Sequence, residues 1–156
     1  MSRKDQQKYI AQNRRARFDY IIKETFEAGL ILKGSEVKSL REGHVSIQEA
    51  YATEINGAFY LVNATINIYK PANRFNHEPN APRKLLLHKK QCSRLFGLIK
   101  REGITLVPMA LYFNTRGLAK LELGIGKGKT KGDKRASEKE KDWQKVKGRA
   151  LRNIED

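Results

Sequence analysis

One cysteine, Cys92, and one tryptophan, Trp143, stand in a chain of 156 residues. A single thiol cannot form an intramolecular disulfide, which fits a reducing compartment. Long hydrophobic runs are missing as well: no stretch approaches the roughly 20 apolar residues of a membrane span. Residues 1–8 lack the apolar core of a signal peptide. A cytoplasmic location is therefore expected. Acidic charge is scarce, since 17 Asp and Glu face 32 Lys and Arg, for a formal net charge of +15. Such a surface attracts polyanions and repels cationic partners.

The marks of catalysis are also missing. His44, His77 and His88 are far apart and show no metal-ligand spacing, as expected of ordinary surface or loop histidines. Gly128-Lys129-Thr130 ends like a phosphate-binding loop, but the glycine required five residues earlier is replaced by Leu123. The acids are scattered, with no pair marked as general acid and base. Cys92 falls on the apolar face of a predicted helix, where a small core residue fits better than a nucleophile. The expectation is a protein that is not an enzyme and needs neither cofactor nor metal.

What is present is a globular composition, 39% apolar and 31% charged, in a chain long enough for one domain with a real core. Charge is packed unevenly. Residues 1–23 hold seven Lys and Arg against two acids, and residues 127–156 hold eleven against six. The remaining 24–126 hold fourteen against nine, so a compact middle with two basic arms is expected.

Residues 1–8 read as a disordered arm. Residues 18–32 suit a strand with a bulge or bend at Gly29, where the apolar parity shifts. A helix then starts near Gly34-Ser35-Glu36, with Ser35 as a cap and Gly43 as a stop. Residues 46–55 and 58–69 read as strands joined by Asn56-Gly57, a two-residue hairpin signal, with a second bulge near Val62. Residues 71–82 form a proline- and asparagine-rich loop, and 84–87 a short strand. Residues 89–102 form an amphipathic helix with Cys92, Leu95, Phe96 and Ile99 on one face and Gly103 as its stop. Residues 105–113 and 118–125 are two more strands, with Pro108 marking an edge, a strand end or a bulge. Five or six short strands and two helices predict a mainly β fold, a small antiparallel barrel.

After Gly126 the chain becomes cationic and glycine-loosened, too polar to offset its ordering entropy. Ser137 and Glu140 form a capping box, and Trp143, Val146 and Ala150 a narrow apolar seam. The helix they encode is marginal alone. The predicted division is a barrel over 9–126 and a tail over 127–156, disordered when free and helical from about 137 when bound.

Nucleic-acid chemistry remains. Arg14, Arg15 and Arg17 cluster beside Asn13, and arginine offers planar bidentate donors to phosphate. Tyr9, Phe18, Tyr20 and Tyr69 lie near basic residues and suit either base stacking or the core.

The wording of the chain adds a family resemblance. Residues 10–17 (IAQNRRAR), 26–30 (FEAGL), 34–41 (GSEVKSLR), 83–88 (RKLLLH), 124–129 (GIGKGK) and 133–135 (DKR) closely resemble the small protein B (SmpB, SsrA-binding) family in order and spacing. The resemblance implies an oligonucleotide-binding-type β-barrel with a flexible basic tail. It further implies a partner, the tRNA-like domain of transfer-messenger RNA (tmRNA), which the barrel carries into stalled bacterial ribosomes. The tail would enter the empty messenger channel, against ribosomal RNA of the decoding centre, and no membrane is involved; the chain would act as a monomer. Asn13, Glu27, Leu86, His88 and Lys120 match family positions on the RNA-facing side, beside Arg14, Arg15 and Arg17. Glu27 would either accept hydrogen bonds from RNA or pair internally with an arginine such as Arg14. The tail positions are Lys127, Lys129, Lys131, Asp133, Lys134, Arg135, Trp143 and Leu151. Gly132 departs from the family pattern, which favours a residue that can stack. The competing readings are a ribosomal structural protein, a cold-shock-like binder of single strands, and a nuclease.

Overall fold

The computed structural model describes residues 8–129 and, in the tail, 134–136, 139–140, 142–143 and 145–146. The first segment holds β1 (Lys8–Gln12), α1 (Ala16–Asp19), β2 (Tyr20–Leu30), α2 (Gly34–Arg41), β3 (Val45–Ser46), β4 (Tyr51–Ile55), β5 (Ala58–Val62) and β6 (Thr65–Ile66). After a 3-10 helix (Lys70–Phe75) come β7 (Arg83–Leu86), α3 (Lys89–Glu102), β8 (Thr105–Phe113) and β9 (Ala119–Gly128).

Strands β4, β5, β7, β2, β9 and β8 pair antiparallel in that order, and β8 pairs back onto β4 through Leu106 and Ala52. The ring of six strands closes, which removes the open edges a flat sheet would present. Inside it lie Leu121, Leu123 and Ile125 of β9, Phe59 and Leu61 of β5, and Leu106 and Leu111 of β8. Helix α3 covers this core with Leu95 fully buried, while Phe96 stacks on Phe59 at 4.7 Å between ring centroids. Its limits are those the apolar spacing predicts, and Gly103 ends it at φ 62°. The Asn56-Gly57 turn adopts φ 51° and 86°, the two positive values that a type I′ turn needs.

Several expectations are corrected. Of the N-terminal basic segment, residues 1–7 lie outside the described residues, but from Lys8 on the chain is part of the fold: β1 pairs with β8 from Lys8↔Phe113 to Gln12↔Ala110, and α1 follows. Strand β2 therefore starts at Tyr20, and its bulge lies at Lys23 instead of Gly29. Residues 46–55 split into β3, a turn and β4, and residues 58–69 break at Asn63, whose φ of 60° ends β5. Beyond it, β6 leaves the barrel to pair with β3. Pro108 sits beside a bulge, where the β8–β9 register shifts between Pro108 and Ala110.

The barrel also runs two residues past the expected boundary. Strand β9 pairs with β2 through Lys127↔Ile21 and Gly128↔Tyr20. Gly126 thus lies within a paired strand rather than at a hinge. A Cβ there would lie 2.9 Å from Ile22 Cδ1 and 3.2 Å from the Ile21 carbonyl oxygen, so the two strands approach closely at this point.

Ser35 does not cap α2. It lies inside the helix, with Oγ 2.8 Å from Nδ1 of His77. His77, expected at the surface, is buried, and its Nε2–H donates to the Ile66 carbonyl at 2.8 Å. Glu36 likewise does more than favour the helix dipole. Its Oε1 accepts the Lys33 N–H at 2.9 Å, and its Oε2 accepts Arg83 Nε at 2.6 Å. Arg83 is 2% exposed and donates further to the carbonyls of Ala64, Glu78 and Pro79.

Removing one member of a buried pair leaves the other charge uncompensated. Arg83→Met should lower the free energy of unfolding by about 3–5 kcal/mol, measured by urea denaturation; a loss below about 1 kcal/mol, the value of an exposed pair, would contradict the structure.

Candidate nucleic-acid interface

Strand β2 alternates about the barrel wall. Ala28 is buried and Phe26 and Leu30 pack against the core, so Glu27 and Gly29 belong to the outer side. Gly29 stands between Leu86 of β7 and Lys120 of β9, its direct partners on either side. A Cβ at Gly29 would lie 3.1 Å from Leu86 Cβ and 3.6 Å from Lys120 Nζ. Its missing side chain opens the floor of a cleft of about 400 Å³, walled by Glu27, Leu86, His88, Gln91 and Lys120. Leu86 is 54% exposed here, an apolar surface among polar groups. Four of the predicted RNA-facing residues, Glu27, Leu86, His88 and Lys120, thus share one cleft.

Glu27 does pair internally, but with a tyrosine instead of an arginine. Its Oε2 accepts a hydrogen bond from the hydroxyl of Tyr112 on β8. Tyr112 is buried, and its ring meets Tyr9 of β1 edge-on at 6.0 Å. Burial, foremost, then the bond to Glu27 and the charges of Glu27 and Glu122 push the phenol well above its usual range. Oε1 of Glu27 has no partner among the described residues, so the carboxylate is held by one oxygen and offers the other. Tyr112, Gly29, Gln91 and Glu122 were missed from the sequence: Tyr112 lies in an apolar run that reads as core, and Gly29 reads as a bulge.

A second cleft of about 310 Å³ is lined by Tyr9, Gln12, Asn13, Arg14, Arg17 and Glu122, with Met109 and Ala110 of the β8 bulge. Asn13 serves as an anchor. Its backbone N–H donates to the Met109 carbonyl at 2.8 Å and its Nδ2 to the Pro108 carbonyl at 3.2 Å. Its Oδ1 is buried and has no hydrogen-bond partner among the described residues. Lys120 lines the first cleft and Glu122 the second, two residues apart on β9 and so on one side of it. Glu122 also lies directly across from Glu27, a like-charge pair that a cation or hydrogen-bond donor would relieve. Arg15 turns elsewhere, 3.7 Å from Asp19 and over the Phe18 ring at 5.1 Å.

The family profile "SmpB protein" matches residues 10–153. The chain belongs to the SmpB family. An SsrA-binding protein of Nitrobacter hamburgensis is 57% identical over 145 residues, covering 93% of this chain and 92% of that one. One of Bradyrhizobium diazoefficiens is 56% identical over the same length and shares. A solved structure described as "tmRNA-SmpB: a journey to the center of the bacterial ribosome" superposes with a TM-score of 0.63 at 47% identity, over 80% of this chain and 90% of the other.

The tail residues expected of an SmpB-family chain divide in two. Lys127 belongs to β9, and the Lys129 N–H donates to the Asp19 carbonyl at 2.8 Å, so both extend the barrel. Lys134 and Arg135 are helical, ahead of Ser137, and Lys134 Nζ lies 3.5 Å from Asp19 Oδ1. Trp143 and Val146 are also helical and stay exposed, at 64% and 57%. Lys131, Gly132, Asp133, Ser137, Ala150 and Leu151 lie outside the described residues. Among the described residues no three His, Cys, Asp or Glu gather as a metal site, and no helix is long and apolar enough to cross a membrane.

The raised Tyr112 pKa has a stability consequence. The folded phenol holds its proton above the unfolded value of about 10, so its contribution is complete below that pH and lost as pH rises past it. Between about pH 9 and pH 11 the wild type should lose more unfolding free energy than Tyr112→Phe. Parallel pH dependences in chemical denaturation would contradict the assigned bond.

Proposed function

We propose that this protein binds the tRNA-like domain of tmRNA and delivers it to stalled bacterial ribosomes for trans-translation, with its tail sensing the empty messenger channel. The observation that carries the reading is a pair of neighbouring clefts, one lined by Lys120 and the other by Glu122 on the same side of β9. One holds Arg14 and Arg17, the other Glu27, Leu86, His88 and Lys120. Structured RNA is recognised by shape, by phosphate and 2′-hydroxyl contacts, and by unstacked bases, and this face offers a group for each.

Arg14, Arg17 and Lys120 take phosphates, where arginine forms bidentate bonds and lysine a point contact. Leu86 packs against an exposed base or ribose, and His88 supplies a ring and a hydrogen-bonding edge beside it. Glu27 repels phosphate. Its Oε1 instead accepts from a base amino group or a ribose hydroxyl, so it selects rather than attracts. Asn13 acts on this face indirectly by fixing the turn that carries Arg14, and Arg15 contributes from its margin through long-range charge.

The tail takes the second task. Lys131, Asp133, Lys134, Arg135, Trp143 and Leu151 meet ribosomal RNA of the decoding centre and the vacant channel. Lys127 and Lys129, on the barrel end of β9, mark where barrel hands over to tail. On the ribosome the tail takes its full helix in the channel, where its cations meet phosphates. The protein acts as a cytoplasmic monomer, and as a binding protein rather than an enzyme, without cofactor.

A chain ending at Lys129 keeps β9 whole and therefore tests this division. It should bind the tRNA-like domain within a few-fold of the full chain yet fail to support peptide tagging on stalled ribosomes. Loss of nearly all RNA affinity, or full tagging activity, would contradict the proposal.

A further inference from the structure

We infer that the 3-10 segment between β6 and β7 is a second RNA contact, a stacking platform on which Phe75 takes one unpaired base. The inference rests on the RNA-binding reading above but uses none of its residues. The groove at the root of this segment, lined by His44, Asn67, Ile68, Lys70 and Pro71 among others, shares no residue with either cleft on the β2–β9 face.

Phe75 is 78% exposed, more than any other large apolar side chain among the described residues. A ring this exposed on a loose loop would mean little, but this loop is pinned. The Asn76 side chain accepts the Tyr69 N–H at 2.8 Å and donates to the Tyr69 carbonyl at 2.6 Å and the Asn73 carbonyl at 3.3 Å. Asn73 is held at φ 51° and ψ −121°, outside the helical region and unfavourable for a residue with a side chain. Pro71 stiffens the first turn. Strained positions persist only where their surroundings over-determine them, and they gather at binding and catalytic sites.

The chemistry around the ring is that of a nucleic-acid contact. Arg74 lies over the Phe75 ring at 5.2 Å, covering one face. The high exposure leaves the other face to solvent. Lys38 of α2 lies over the Tyr69 ring at 5.6 Å. With exposed Lys70 these make a cationic border. The acid that lines the groove is Glu42, which faces His44 at 3.4 Å, so positive charge dominates beside the ring. A base stacked on the free face of Phe75 would sit with its phosphates beside Lys70 and Arg74, and aromatic stacking is tolerant of base identity. The cations around the ring favour the polyanionic partner that carries its own stacking bases.

The test uses the full chain and two probes, a single-stranded oligoadenylate and an inorganic polyphosphate of similar charge. Phe75→Ala should weaken oligoadenylate binding by about tenfold and leave polyphosphate binding unchanged. Phe75→Trp should restore the oligoadenylate affinity, and Phe75→Leu, apolar but unable to stack, should not. A 4-thiouridine-containing strand should crosslink within residues 69–76. Unchanged oligoadenylate binding in Phe75→Ala, equal rescue by Leu and Trp, or crosslinks confined to other peptides would overturn the inference. Affinity for the tRNA-like domain, measured on the same variants, separates this inference from the main proposal: its absence in the wild type would sink that proposal, while the oligoadenylate series still decides the role of Phe75.

Discussion

A single buried guanidinium holds together the parts of the molecule that the barrel ladder does not. Arg83 opens β7, reaches Glu36 in α2, and bonds the carbonyls of Ala64, Glu78 and Pro79. Helix α2, the link between β5 and β6, and the end of the long 67–82 connection are thereby tied to one strand. Burying this pair gives little net stability, because desolvation offsets much of the attraction. Its effect is on geometry: other placements of α2 or of the connection leave a charge without a partner. Leu85, Leu86 and His88 follow Arg83 directly, so the register that buries Leu85 also turns Leu86 outward beside Gly29.

The candidate RNA face follows from that register and from ring closure. β9 contributes Lys120 and Glu122 to the outside because Leu121 and Leu123 fill the inside. β8 contributes Tyr112, which supports Glu27 from below, and its bulge at Met109 receives Asn13. The net charge of +15 draws any polyanion to this surface. On the proposed reading, discrimination comes from groups that phosphate disfavours, and the two facing carboxylates, Glu27 and Glu122, are such groups: they would penalise generic contact and reward a donor placed between them.

Much of this was legible from residue order. The α3 limits, the Asn56-Gly57 turn and the alternation of β9 each rest on local chemistry that the fold does not override. The failures have a common cause in tertiary context. β1, KYIAQ, is too short to show a strand period and is made a strand by the stretch of β8, residues 110–113, that lies beyond its pairing with β4 at Leu106. Ser35 and Glu36 look like local helix-start signals, but His77 and Arg83, distant in sequence, engage them. Glycine was the least legible residue: Gly126 reads as a hinge and Gly29 as a bulge, whereas both lie within paired strands with close neighbours on the adjacent ones. At the candidate site, the family resemblance pointed to Glu27, Leu86, His88 and Lys120, and the fold brings these into one cleft. Tyr112 could not be found that way, because a buried hydroxyl in an apolar strand carries no local mark of its partner.

The account turns on whether one continuous face of the barrel receives the RNA. Backbone amide NMR of the full chain, titrated with the isolated tRNA-like domain, measures this directly. Shifts and broadening should concentrate on residues 12–17, 27–29, 86–91, 112 and 120–122. Perturbations scattered evenly over the basic surface, or absent from both the Gly29 floor and the Asn13 turn, would contradict it.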